Sequence, residues 1–296
     1  MVLELLWNMT DALVQLLTQP FYYISILFIL LFYRQQMLME RKLFHVRLHS
    51  WSLQAWRTLI GGLVGGICVS IVIAFLGISL TPEAIICIWV VTLALLLLGV
   101  RYLCLAYSIG VLGVIQFTLG FFPNWQPESY VGSMTDTVRV LDIPSVVILV
   151  AILHLVEAIL IRKQAASFAM PLLLESKRGK LVGGYQMQAF WPLPLFLLIP
   201  AQTTGNILPW TPLLGGEGWA NGFSMLALPV IIGFSGMTQS VLPQEKAKST
   251  FKRLIIYSVI LLIIGALSVW WNPLMIVAAL ASFLLHRGLE WASQIE

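Results

Sequence analysis

Apolar residues run along this chain in blocks of about 20, the length that crosses a hydrocarbon core about 30 Å thick at a helical rise of about 1.5 Å per residue. The blocks predict membrane-spanning helices over 16–33, 58–80, 84–100, 102–122 and 143–161. A proline-rich pair follows over 190–210 and 221–236, and a last apolar block over 254–285. The turn Thr81-Pro82-Glu83 separates the second span from the third. Asn272-Pro273, behind Trp270-Trp271, splits the last block into a helical hairpin over 254–286 with aromatic anchors at one interface. Proline removes a backbone donor and kinks a helix. Pro192, Pro194, Pro200 and Pro209 therefore predict a broken hairpin over 190–240, either crossing twice or dipping in and out under a cover of protein. Two crossings are the favoured reading. The fold class that follows is all-α: a polytopic helical bundle of seven to nine spans, a single transmembrane domain over 1–296. No internal repeat is evident, so repeat-built transporter folds gain no support.

Charge turns this pattern into a topology. Of the 17 Lys and Arg, all but Arg139 lie in short patches: Arg34 to Arg57, Arg101, Arg162 to Lys180, Lys246 to Arg253, and Arg287. Putting these patches on the cytoplasmic side satisfies the positive-inside rule and leaves only Arg139 on the other face. The N-terminus is then outside and the C-terminus cytoplasmic. No Lys or Arg precedes Arg34, so no cleavable signal peptide is expected.

Composition agrees. Hydrophobic residues make up 59% of the chain and charged ones 10%, with mean hydropathy +0.91; a soluble domain carries about 25% charge. The net charge of +4 and pI near 9.0 raise the question of nucleic acid. The cations flank apolar runs, which points to anionic lipid headgroups and against nucleic acid. Cys68, Cys87 and Cys104 lie within or beside apolar stretches, form no CxxC pair and read as small buried hydrophobes.

Four features are candidates for chemistry or contact. The segment 34–57 places Met37, Phe44, Leu48, Trp51 and Ala55 at helical spacing opposite Arg41, His45 and His49. This predicts a basic amphipathic helix at the inner interface, with Arg41, Lys42, Phe44, Arg47 and Trp51 as candidate lipid or partner contacts or simply as a topology-setting connector. The cytoplasmic loop 162–189 carries Lys177, Arg178 and Lys180 among glycines, a second candidate contact; the GxxxxGK pattern of a nucleotide loop is absent. His154 and Glu157 stand one turn apart within a span. An ionisable group there is a functional candidate, as a proton relay, a metal site or a transport site, because burial is costly unless it is paired. A metal needs three or four ligands and the spans offer no clear third, so no metal or other cofactor is expected. Gly61, Gly62, Gly65 and Gly66 form overlapping small-xxx-small pairs and predict close helix packing, within the monomer or across a homo-oligomer contact. No catalytic motif can be placed, which counts against an enzyme.

ERKLFHVR (Glu40 to Arg47), LHLVEAILIRKQ (Leu153 to Gln164), ESKRGKLVGGYQ running into FWPLPLFLLIP, and VIIGFSGMTQSVLPQE (Val230 to Glu245) together resemble the membrane region of MinJ-type cell-division topology proteins of Gram-positive bacteria. The resemblance implies a polytopic anchor followed by a cytoplasmic PDZ domain, linking the polar scaffold DivIVA to MinD so that MinCD restrains septum formation away from midcell. It transfers no catalytic residue. The PDZ domain is missing from this sequence, which leaves the basic loops as the contact candidates. An integral membrane adaptor in division-site selection is the leading expectation. A small-molecule or lipid transporter built around His154 and Glu157 is the alternative, and a membrane-embedded enzyme on lipid-linked substrates is third.

Overall fold

The computed structural model describes residues 2–46, 48–99, 102, 104–175, 179–201, 208, 210–214, 219 and 222–295. Helices dominate: α1 (Val2–Thr18), α2 (Pro20–Phe44), α3 (Trp51–Leu76), α4 (Pro82–Leu98), α5 (Leu105–Gly120), α6 (Tyr130–Val140) and α7 (Ile143–Gln164). A three-stranded antiparallel sheet follows, β1 (Met170–Glu175), β2 (Leu181–Pro200) and β3 (Phe223–Thr238), in the order β1-β2-β3. Then come α8 (Pro243–Trp270) and α9 (Met275–Ile295), joined by a tight turn over Asn272–Leu274. Among the described residues, five helical stretches are long and apolar enough to cross a membrane: Pro20–Phe44, Trp51–Leu76, Ile143–Phe168, Pro243–Trp270 and Asn272–Ser293. The chain is a membrane protein.

The sheet overturns the all-α expectation, and seven to nine spans are not supported. The proline-rich hairpin is one of strands, not helices. Two further apolar helices, α4 and α5, have 17 and 16 residues, shorter than the five. The reason the hairpin is extended lies in WPLPL, where prolines alternate with apolar residues at a period of two. Pro194 pairs with Pro229 and Pro192 with Ile231. In an antiparallel ladder, alternate residues turn both N–H and C=O away from the partner strand. On β2 the even-numbered residues do so: the Phe196 N–H donates outward to Ser70 Oγ at 2.9 Å. Pro192 and Pro194 share that parity, so each missing donor lies on the free edge, where no strand could use it.

α3 covers this edge. A Cβ on Gly62 or Gly66 would collide with the carbonyl oxygen of Pro192 or Pro194, so only glycine lets the helix approach so closely. Gly61 and Gly65 face α7 instead, at Gln164 and Val156. Gln164 also accepts from the Trp191 indole at 2.9 Å. The outer edge of β3 is met by the α1–α2 junction, where Gln19 donates to the Ala227 carbonyl at 2.8 Å. α7 is the hub, buried almost throughout, with α8, α5, α9 and α3 around it.

The helix predicted over 34–57 is interrupted. α2 stops at Phe44, His45 takes a left-handed conformation at φ 56°, and α3 starts only at Trp51. Glu40 holds the turn: its buried carboxylate accepts from the backbone N–H groups of Leu48 and His49 and lies 2.7 Å from His49 Nδ1. Arg41, His45 and His49 therefore do not form one helical stripe. Arg139, the cation outside the charge pattern, has a local task. Its guanidinium donates to the carbonyls of Leu119, Phe122 and Trp125, capping the C-terminal end of α5.

Candidate functional site: a buried polar cluster and a basic end

His154 sits on α7 and is only 3% exposed. Its Nδ1 lies 2.7 Å from the Val150 carbonyl one turn earlier. That carbonyl can only accept, so the proton is on Nδ1 and the lone pair is on Nε2. Nε2 lies 3.4 Å from the Cys104 sulfur, at the start of α5, and 3.9 Å from Glu157 Oε2. The fold adds two rings from further along the chain. Tyr257 on α8 and His286 on α9 lie edge-on to His154, with centroids 5.1 and 5.2 Å away. Tyr257 donates to the Ser282 carbonyl at 2.9 Å, which fixes its ring. His286 also packs against Tyr107 of α5, and Glu290 lies 3.7 Å from His286 Nδ1.

Sequence reasoning found His154 and Glu157 and missed Cys104, Tyr257 and His286. Cys104 looked like a buried small hydrophobe and His286 like part of the basic boundary beside Arg287. Cys104 precedes α5 while His154 and His286 stand near the middles of α7 and α9, so residue order gave no hint of a meeting. The cluster lines neither of two cavities elsewhere. One is an open cleft of about 810 Å³ where α4 begins and α6 runs, with Glu83 and Asp136 in its wall. The other is about 220 Å³ between α2 and the sheet, lined by Gln36, Gln186 and Gln188.

The basic residues gather where α2 and α7 end, β2 and α8 begin and α9 ends. Gln36 ties α2 to the Phe168 carbonyl beyond α7. Lys246 and Arg253 on α8 donate to the Ser293 and Ala292 carbonyls at 2.5 and 3.1 Å, meeting the negative end of α9. Of the candidate contacts, Arg41, Lys42 and Lys180 are exposed and Phe44 is half-buried. Trp51 is half-buried against the small core of Ile29, Tyr33 and Ala55. Arg47, Lys177 and Arg178 lie outside the described residues.

No family model matches this chain, and no solved structure matches it. Among curated proteins it matches the cell division topological determinant MinJ of Bacillus subtilis (strain 168), at 29% identity over 269 residues. The chain is similar to MinJ over most of its own length. The match takes in 90% of this chain and 66% of that protein, so the chain spans just under two thirds of its relative's length. A match this long runs through the helices and the strand hairpin alike.

Proposed function

We propose that this chain is the membrane-embedded part of a determinant of division-site placement. The observation that carries the reading is the match to a cell division topological determinant over 90% of the chain. In this reading the spans anchor and position the protein in the plasma membrane, the N-terminus is outside and the C-terminus is cytoplasmic. The basic end faces the cytosol. Its exposed cations, Arg41, Lys42 and Lys180, with Lys177 and Arg178 in the same loop, meet division proteins and anionic headgroups. The resemblance names the polar scaffold DivIVA and MinD as those proteins, bridged so that MinCD blocks septa away from midcell. Chemistry is carried by contact, not by catalysis.

The experiment is a chromosomal deletion in the host, followed by imaging of septa and of fluorescent division proteins. Misplaced septa, elongated cells and loss of polar MinD are expected. Charge reversal of Arg41, Lys42 and Lys180 together should reproduce part of the defect at unchanged protein level. Regular septa and unaltered MinD in the deletion strain would refute the division role. Regular septa in the charge-reversal strain alone would refute the basic end as the contact.

A further inference from the structure

We propose that Cys104, His154 and His286 form a zinc site that ties α5, α7 and α9 together. Sulfur, Nε2 and a ring nitrogen of His286 all lie within 4.8 Å of one another. A tetrahedral zinc ion, with bonds of about 2.0–2.3 Å, holds its donors about 3.3–3.7 Å apart. The Cys104–His154 pair already stands at 3.4 Å, and His286 needs a shift of about 1 Å to close the triangle.

Three further features suit a metal better than simple packing. The His154 Nδ1 contact to the Val150 carbonyl fixes the tautomer that presents Nε2, the arrangement that orients metal-ligating imidazoles. The buried Nδ1 of His286 makes no hydrogen bond among the described residues; its carboxylate neighbour, Glu290 Oε1, stands off at 3.7 Å. Glu157 stands 3.9 Å from His154 Nε2, close enough to supply the fourth donor after a side-chain rotation.

Charge settles the choice of ion. Divalent zinc with one thiolate and one carboxylate sums to zero, which an apolar interior tolerates far better than a net charge. Nitrogen and sulfur donors together favour zinc over magnesium or calcium, which take oxygen ligands. Binding displaces a proton from the Cys104 thiol and one from the Glu157 carboxyl, both to solvent, and the two imidazoles remain neutral. The ligands come from the start of α5 and the middles of α7 and α9, so the ion would brace the bundle that carries the surface assigned above to partner contact. The site does not depend on that assignment.

The test uses the full chain purified in detergent. Zinc content is measured by mass spectrometry, and affinity by competition with a chromophoric chelator. Cobalt(II) serves as a spectroscopic substitute. One zinc per chain is expected, with a thiolate-to-cobalt absorption band. Cys104→Ser and His286→Ala should each weaken zinc by about 100-fold or more, at least the top of the range for losing a supporting contact. The Cys68→Ala, Cys87→Ala double variant keeps Cys104, so it should retain the band, and zinc should protect its one thiol from alkylation. That arm holds even where Cys104→Ser fails to fold. A folded wild type with neither zinc nor the cobalt band would overturn the site. So would affinity unchanged in Cys104→Ser and His286→Ala, or a clear preference for copper(I).

Discussion

Ser70 does two jobs with one hydroxyl. It donates to the Gly66 carbonyl at 2.7 Å and accepts from the Phe196 N–H at 2.9 Å. Ser70→Ala would strand a backbone donor on the covered edge of β2, at a cost of about 1–3 kcal/mol. Gly62→Ala should cost about 1–3 kcal/mol as well, because its methyl group meets the Pro192 backbone, which cannot rotate aside. Gly288→Ala makes the contrast. No atom lies within 4 Å of the added methyl group, so better helix propensity should stabilise by about 0.5–1 kcal/mol. Thermal unfolding of the three variants in one detergent checks the set: two midpoints should fall and one should rise or hold. The demand for small residues at Gly61, Gly62, Gly65 and Gly66 was legible from spacing. What they make room for was not. Two of them face strand backbone, and a small-xxx-small pattern looks the same whether its partner is a helix or a strand.

At the scale of elements, the strand hairpin is where sequence reasoning and structure part. The cue was present, since WPLPL alternates at a period of two. Prolines in an apolar run were read as helix kinks, because single-helix spans are the usual solution in lipid. A strand inside a bundle faces a harder condition: every free edge donor needs a partner or must not exist. Here Pro192 and Pro194 have no N–H, and Phe196 is served by Ser70. Replacing Pro192 or Pro194 with Ala would place a new N–H against α3. Each change should cost about 1–3 kcal/mol although Ala is the less constrained residue. Pro171 on β1 gives the control. Its nitrogen also points away from β2, but the position is only half-buried. Pro171→Ala should lose only the unfolded-state contribution of proline, about 0.4–1 kcal/mol. Equal losses at all three positions would mean that edge satisfaction is not what the prolines provide.

At the scale of the whole molecule, the two proposals rest on two groupings of residues that differed in legibility. The basic end could be read from residue order alone, because a charge rule ties loops to one side of a membrane whatever the helices between them do. The polar cluster could not. Cys104, His154 and His286 lie far apart in the chain, and only the packing of α5 and α9 on α7 unites them. The charge rule also survives the loss of the two predicted proline-rich crossings. A hairpin enters and leaves on the same side, so 162–180 and 246–253 share a face whether 190–240 is a pair of helices, a dip or a pair of strands. This makes sidedness a sharp test. Cysteines placed at Lys180 and Lys248 should react with an impermeant maleimide only after cells are permeabilised. A cysteine at Ser133, an exposed residue of α6 on the Arg139 side of the membrane, should react in intact cells. Labelling of either lysine position from outside would put the basic end on the wrong side of the membrane to meet cytosolic division proteins.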